Sequence, residues 1–233
     1  MGDTTPRIKQ EARQVLLPVA YLPPLEYMVC MVSAGRAVIE LHETYQRQSW
    51  RNRCNIYTAN GVRNLIIPVE CPSGNRSQTN EVVVSTHENW RKKHWRSITS
   101  AYRNSPFFIY YQDLLAPFFL RPTSTPEFLW EFNLKVLQSI MGELSIPADI
   151  SLTRSYEREP QGMIDLREKL TPKIHRREYP LISHWPFYQQ TFTEKHGFIP
   201  NLSIADLMFN LGPASNDYLT ETAKYLETYP KEG

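Results

Sequence analysis

The sequence predicts an α/β protein, in which a mixed sheet formed by an N-terminal βαβ unit and a β-hairpin is covered by helices from the C-terminal half. The βαβ unit is indicated by an apolar strand at 15–20, a short apolar helix at 25–34 and a second apolar strand at 37–41. Strand, helix and strand at this spacing favour two parallel strands joined by a crossover helix. Pro24 before the helix and Gly35 after it are typical helix boundaries.

The hairpin is the second observation that predicts this class. Strands at 52–58 and 62–69 flank the dipeptide Asn60-Gly61, and both of these residues tolerate the positive φ angles of a type I′ turn. Asn-Gly between two such runs is the strongest short-range signal of a hairpin. A further strand, at 80–85, is predicted to be the last of the sheet.

Helices dominate the second half of the chain. A helix at 88–103 has one apolar face, and a helix at 126–142 is apolar on most sides, which is typical of a buried helix. Ser203 and Asp206 are predicted to form a capping box at the start of a later helix. The inward face of the helix at 88–103 consists of Trp90, His94, Ile98, Ala101 and Tyr102.

Composition and length limit the classes of function. The chain has 233 residues, of which 41% are hydrophobic and 21% charged, and its net charge is +2 at pH 7. This near-neutral balance gives no strong attraction to nucleic acid or to acidic membranes. We expect residues 14–233 to form a single α/β domain after a disordered start at 1–13, with an irregular connection or lid at 150–185.

Targeting signals and membrane spans are not indicated. The polar residues 1–14 lack the apolar segment of a signal peptide, and no apolar run is long enough to span a bilayer. Cys30, Cys54 and Cys71 have no CxxC spacing, so neither a zinc site nor a redox motif is indicated. We therefore expect a cytoplasmic protein with reduced thiols and no membrane insertion.

Polar side chains follow the second strand, between residues 42 and 53. Tyr21 and His42 come directly after the two parallel strands, at the carboxyl edge where open α/β sheets bind ligands. Loops held by the ends of strands commonly carry binding and catalytic groups. The polar cluster contains His42, Glu43, Tyr45, Gln46, Gln48, Arg51, Asn52 and Arg53.

His94 has two interpretations, because it points inward with the apolar residues of its helix. It is either a core histidine bonded to the backbone, or a general base or substrate ligand that faces the strand ends. Cys54 and His94 would in principle form a nucleophile and its base, although a lone cysteine is more often a small core residue. The basic face of the same helix is either a solvated surface or a contact for phosphate or nucleic acid.

Standard catalytic motifs are absent from the sequence. It contains no GxSxG elbow, no P-loop, no GxGxxG fingerprint and no HExxH motif. The sequence therefore predicts no metal site and singles out no cofactor.

Four segments carry a family resemblance: YLPPLEY at 21–27, HETYQRQSWRNRC at 42–54, the NG turn with LIIPV at 65–69, and WRKKHWRSITSAYRNSPFF at 90–108. They resemble the WbqC-like protein family. The segment FTEKHGFIPNLSIADLMFN at 192–210 resembles the form of the family found in Bacteroidetes. The similarity runs over nearly the whole chain.

The resemblance implies an N-acyl or aminoacyl (glycine-type) transferase that acts on an amino sugar or sugar nucleotide in surface polysaccharide biosynthesis. His94 is predicted to accept the proton of the attacking amine, and Asn52 and Arg53 to stabilise the oxyanion. Glu43 or His42 would orient the base or bind the amine. The resemblance and the position of the polar cluster together predict catalytic roles for His94, Glu43, Asn52 and Arg53, and substrate binding by Tyr21, His42, Gln48 and Tyr102.

Two other functions stay open. A non-catalytic protein that binds a nucleotide or nucleic acid would use Arg47, Arg51, Arg53 and Arg63 for phosphates and Tyr45, Trp50 and Tyr57 for stacking. The near-neutral net charge argues against nucleic acid. A structural partner in a cell-envelope complex would account for an aromatic-rich surface. The expected partner is therefore a small-molecule substrate, and the sequence indicates no oligomeric state.

Overall fold

A computed structural model describes residues 14–86, 89–121, 126–172 and 181–226. The disordered start predicted at 1–13 lies outside the described residues, as does 173–180 of the predicted connection. Within the four described ranges the chain forms an α/β fold, which confirms the predicted class.

The predicted βαβ unit is present. β1 (Gln14–Pro18) leads through α1 (Leu25–Ala34) to β2 (Arg36–Glu40), and the two strands pair in parallel. The helix contacts both strands and buries most of its residues, so it covers one face of the sheet. It ends where Gly35 adopts a φ of 72°, a left-handed conformation that costs glycine little.

The predicted hairpin is also present, but its turn differs from the prediction. β3 (Arg53–Thr58) and β4 (Gly61–Ile66) pair antiparallel along their whole length. Gly61 has a φ of 89°, whereas Asn60 is not among the described residues with positive φ, so the predicted type I′ turn is wrong. The Thr58 hydroxyl accepts a hydrogen bond from the Asn60 N–H at 3.3 Å, which supports this turn without a left-handed asparagine.

The parallel sheet takes its outer strands from the second half of the chain. β5 (Val69–Glu70) and β6 (Val83–Val84) pair with each other, so the prediction that the strand at 80–85 ends the sheet is wrong. The outer strands are β7 (Asp149–Leu152) and β8 (Met163–Asp165), which lie in or beside the predicted irregular connection. The strand order is β7-β2-β1-β8 with all neighbours parallel, and the hairpin forms a separate ladder.

Three helices pack against one another through aromatic rings: α2 (Trp90–Tyr102), α3 (Phe108–Leu120) and α4 (Leu129–Glu143). All five residues of the predicted inward face of α2 are buried, which confirms that face. The Trp90 ring lies 5.5 Å from the ring of Phe132 on α4 and 6.3 Å from the ring of Phe119 on α3. Phe132 also lies 6.1 Å from the ring of Tyr21, so these helices are joined to the chain just after β1.

Three short helices follow: α5 (Thr193–His196), α6 (Ile204–Leu211) and α7 (Ser215–Thr222). Ser203 caps α6, because its hydroxyl accepts a hydrogen bond from Ala205 N at 3.2 Å. The predicted capping box is wrong, since the Ser203 N–H that it requires donates to Asn55 O at 3.0 Å. The fully buried Asp206 carboxylate accepts instead from the Tyr188 hydroxyl at 2.7 Å.

Candidate functional site

A cleft of about 1960 Å³ runs along β8, from the amino ends of β1 and β8 at Gln14 and Met163 to the carboxyl edge of the parallel sheet. His42 and Glu43 follow β2 and line this cleft, as does Arg167, which follows β8. Open α/β sheets bind ligands at this edge. We call this space the open cleft, and its polar lining consists of Gln14, Ser33, His42, Glu43, Thr44, Gln46, Gln78, Tyr156, Arg158, Glu159, Gln161, Asp165, Arg167, Glu168 and Lys169.

Arg167 is the centre of an ion-pair network at the base of the open cleft. Its side chain is 5% exposed, Nη1 donates to Glu40 Oε2 at 3.0 Å, and Nε donates to Asp165 Oδ1 at 3.0 Å. The hydrogen bond to Asp165 raises the pKa of Arg167. The other oxygen of the buried Glu40 accepts from Thr153 Oγ1 at 3.0 Å and from His42 N at 2.7 Å. The network therefore ties together the ends of β2, β7 and β8.

Glu43 is a carboxylate of the cleft that is paired with a buried arginine. Arg51 Nε donates to Glu43 Oε1 at 3.0 Å, and Arg51 is 1% exposed. Burial raises the pKa of Glu43, and the Arg51 guanidinium opposes that rise. Asn133 on α4 donates through Nδ2 to Arg51 O at 2.7 Å. The helix thus holds in place the segment at 42–52, which we call the polar loop. The Glu43 carboxylate is thereby fixed at the cleft wall.

His42 supplies an imidazole to the open cleft. The ring is half-buried, and its Nδ1 lies 3.3 Å from Asn80 Nδ2. With the amide nitrogen towards the ring, Nδ1 accepts and Nε2 carries the proton. With the amide turned over, Asn80 Oδ1 accepts from Nδ1–H, and Nε2 is able to accept a proton. The second orientation gives Asn80 Oδ1 the partner that it lacks in the first, and it places the amide nitrogen at the position without a partner.

His94 lies in a second, sealed pocket, where it contacts Tyr21, Ile66 O and Trp90. Its Nδ1 is 3.0 Å from the Tyr21 hydroxyl and its Nε2 is 3.1 Å from Ile66 O. A carbonyl oxygen only accepts, so Nε2 carries the proton and Nδ1 accepts from the tyrosine. The residue is 6% exposed, and burial lowers the pKa of His94 to about 4. The ring is therefore neutral, with both nitrogens bonded to protein.

The other predicted site residues are not part of the cleft lining. Asn52 Nδ2 donates at 2.9 Å to the backbone oxygen of the residue that follows β4, and the half-buried Arg53 begins β3. Tyr102 is fully buried, and its hydroxyl accepts from Tyr57 N at 3.0 Å. Gln48 is exposed, with a left-handed backbone at a φ of 59°.

The structure thus divides the predicted site into two groups. His42 and Glu43 meet at the open cleft, whereas Tyr21 and His94 meet in the sealed pocket. The four predicted catalytic residues do not line one cavity, because only Glu43 among them borders the open cleft. The catalytic and substrate-binding roles themselves stay predictions.

The cleft also contains residues that the sequence patterns did not single out. Tyr156 and Arg158 lie on the crossover between β7 and β8, Asp165 ends β8, and Arg167 follows it. The local signal was weak, because the three-residue strand at 163–165 is too short to show a period of two. An Asp and an Arg two residues apart, directly after apolar residues, were the available sign of a strand end with a polar edge.

The described ranges contain neither a clustered metal site nor a membrane-spanning helix. No group of three or more His, Cys, Asp or Glu side chains there is arranged to hold a metal ion. No helix there combines the length and the hydropathy needed to cross a bilayer.

Comparison with known proteins confirms the family resemblance. A family model described as the WbqC-like protein family matches residues 19–180. This chain belongs to the WbqC-like protein family. The matched range begins just after β1 and includes α1, β2, the polar loop, the hairpin, α2, the crossover with Tyr156, and β8 with the Arg167 that follows it.

A relative of this WbqC-like protein is Uncharacterized protein Rv1507c of Mycobacterium tuberculosis. The two sequences are 26% identical over 220 residues, which cover 85% of this chain and 94% of the mycobacterial protein. No solved structure matches the chain.

Proposed function

We propose that this WbqC-like protein transfers an acyl or aminoacyl group to the amine of an amino sugar or sugar nucleotide, with the open cleft as its active site. The observation that carries the proposal is the lining of the cleft, which places carboxylates and basic side chains around one imidazole at the carboxyl edge of the sheet. Carboxylates suit an amine, and arginine and lysine suit phosphate. A nucleotide-linked amino sugar presents both groups.

The reaction needs one proton acceptor. The amine nitrogen forms a bond to the acyl carbon, the bond from that carbon to the leaving group breaks with its electrons on the leaving group, and the amine proton passes to a base. We assign that base to His42, because it borders the cleft and because one orientation of Asn80 frees its Nε2. Glu43, held by Arg51, would bind the amine before it loses its proton.

His94 is the alternative base that the family resemblance predicts. To act on a substrate it would have to give up its hydrogen bond to Tyr21 or to Ile66 O and open the sealed pocket. We therefore propose a positioning role for His94, in which it joins α2 to β4. The test compares the two histidines directly.

The experiment incubates the purified protein with a nucleotide-linked amino hexose and a set of activated donors, including coenzyme A thioesters of acetate and of glycine. Mass spectrometry measures the N-acylated product. We expect product with the wild type and a loss of rate of about 10²- to 10⁴-fold in His42→Gln. His94→Gln keeps two hydrogen-bonding atoms in the pocket, and we expect it to lose much less.

The outcomes separate the parts of the proposal. Equal rates in His42→Gln and wild type would remove His42 from the mechanism, and a selective loss in His94→Gln would return the base to α2. A folded wild-type protein that acylates none of the amino sugars with any donor would contradict the proposed reaction. Circular dichroism of each variant excludes loss of fold as the cause of a lost rate.

A further inference from the structure

Tyr156 is an aromatic side chain exposed to the open cleft. It lies on the crossover between β7 and β8, lines the cleft, and is 52% exposed. The guanidinium carbon of Arg167 lies 5.0 Å from the centre of the Tyr156 ring. One face of the ring therefore has a cationic backing, which is a favourable contact for an aromatic ring. The rest of the ring is available to a ligand in the cleft.

The backing of the ring is fixed before any ligand arrives. Arg167 is 5% exposed and is bonded to Glu40 and to Asp165 at 3.0 Å in each case. Its Nη2 also donates to Asp165 Oδ2 at 2.6 Å and to Arg158 O at 3.3 Å, two residues after Tyr156 in the chain. A guanidinium with four planar donors in use holds a single orientation.

The crossover is also fixed at its beginning. The Thr153 hydroxyl accepts a hydrogen bond from Leu41 N at 3.1 Å and donates to Glu40 Oε1 at 3.0 Å. The segment from Thr153 to Arg158 is thus attached to Glu40 at its first residue and to Arg167 at its last residue, and these two side chains form an ion pair. A ring held in this way binds a flat ligand without a large loss of conformational entropy.

Charge beside the ring indicates which flat ligand would fit. The exposed side chains of Arg158 and Lys169 line the same cleft as Tyr156, and the exposed carboxylates of Glu159 and Glu168 lie next to them in the chain. Proteins bind single-stranded nucleic acid without reading its sequence by stacking bases on aromatic rings and contacting phosphates with basic side chains, and the same two contacts suit a single nucleotide. A free sugar offers no phosphate for the basic residues.

We propose that Tyr156 stacks on the base of a nucleoside diphosphate and that Arg158 contacts its phosphates. The inference rests on the proposed function in one respect, since it assigns the nucleotide half of a sugar nucleotide to this part of the cleft. The acyl-transfer chemistry then takes place towards His42 and Glu43, further along the same lining.

Isothermal titration calorimetry of the full chain tests the inference with uridine diphosphate, adenosine diphosphate and inorganic pyrophosphate. We expect Tyr156→Ala to weaken both nucleotides by about 5- to 100-fold, which is the usual effect of one lost stack. Pyrophosphate affinity should not change in that variant. Tyr156→Phe should keep the nucleotide affinity, and Arg158→Gln should weaken all three ligands.

The matched control is Tyr110→Ala, which removes a tyrosine that is 73% exposed on α3, outside the cleft lining. Nucleotide affinities within about twofold of wild type in Tyr156→Ala would overturn the stacking role, as would wild-type protein that binds neither nucleotide. An amino hexose whose affinity depends on Tyr156, with nucleotides unaffected, would show a sugar platform and also overturn it.

The two proposals fail separately. Tyr156-dependent nucleotide binding without acyl transfer would support the stacking role and contradict the proposed reaction. Acyl transfer at an unchanged rate and KM in Tyr156→Ala would do the reverse.

Discussion

The open cleft and the sealed pocket both contain ionisable side chains, but these side chains are charged and paired in the cleft and neutral in the pocket. In the cleft, charged groups are held by other charges, as Glu43 is by Arg51 and Glu40 is by Arg167. In the sealed pocket, His94 is neutral and its two nitrogens are bonded to a hydroxyl and a carbonyl. A polar residue that faces inward is thus ion-paired at a strand end, whereas it is neutral where a helix packs against the hairpin.

This contrast limits what helical periodicity can say about function. The spacing along α2 correctly predicts that His94 faces inward. It cannot tell whether the inward side is a ligand cavity or a closed interior, because that depends on Tyr21 and β4, which are distant in sequence. The cleft and the pocket are separated by tertiary packing, and substitutions in each of them test that separation.

The largest expected effect is the loss of the buried cation of the cleft. Arg167→Met keeps most of the side-chain volume but leaves the fully buried Glu40 without its arginine. We expect the free energy of unfolding in urea to fall by about 3–5 kcal/mol, because an uncompensated buried charge is costly. The double variant with Glu40→Gln should recover part of that loss.

Arg158→Met is the matched control for this prediction, because Arg158 is an exposed arginine of the same cleft. It should change the free energy of unfolding by no more than about 0.5 kcal/mol. A fall of less than about 1 kcal/mol in the free energy of unfolding of Arg167→Met would mean that water solvates Glu40 in place of the guanidinium.

The sealed pocket should give the protein a specific pH dependence. Burial lowers the pKa of His94 from 6.5 to about 4, so between these pH values the unfolded chain binds a proton that the folded chain does not. Stability is therefore lost as the pH falls from about 6.5 to about 4, by about 3 kcal/mol in total at about 1.4 kcal/mol per pKa unit.

Chemical denaturation at pH 7 and pH 4 measures this effect as a difference between wild type and His94→Gln. The variant should lack the His94 contribution, and other titrating groups cancel because both proteins contain them. His42→Gln keeps His94 and should keep its part of the slope. The same slope in His94→Gln and wild type would mean that the ring is protonated in the folded protein.

A smaller effect is expected from the hydroxyl that reaches His94. Tyr21→Phe leaves the buried Nδ1 without a donor, and we expect a loss of about 1–3 kcal/mol in the free energy of unfolding. Tyr156→Phe, at an exposed tyrosine, should cost no more than about 0.5 kcal/mol. Additive losses in Tyr21→Phe combined with His94→Gln would contradict a direct bond between the two side chains.

Local patterns in the sequence were sufficient to predict the βαβ unit, the hairpin and the inward face of α2. Each has its own signal within a short window: two apolar runs around a helix, Asn-Gly between strands, and a period of 3.6. The outer strands β7 and β8 were missed, because strands of four and three residues show no period. Their place in the sheet depends on partners more than a hundred residues away.

The candidate site was predictable to the same extent. The carboxyl edge follows from the βαβ unit alone, so His42 and Glu43 could be placed there in advance. The other wall of the cleft forms because β8 pairs with β1, and no local pattern in the sequence predicts that pairing. The positions of Tyr156 and Arg167 in the cleft are therefore known only from the tertiary structure.

The smallest expected effect concerns Gln48, the exposed member of the predicted substrate-binding set. Its φ of 59° costs an L-residue about 1–2 kcal/mol, and glycine avoids that cost but loses about 0.5–1 kcal/mol in entropy. Gln48→Gly should therefore raise the free energy of unfolding by up to about 1.5 kcal/mol, whereas Gln46→Gly, at an exposed neighbour without positive φ, should not raise it. If Gln48 binds substrate, the same variant should also weaken a nucleotide-linked amino sugar in calorimetry. A gain in stability with unchanged affinity would leave Gln48 as a turn residue of the polar loop and confine recognition to the lining of the open cleft.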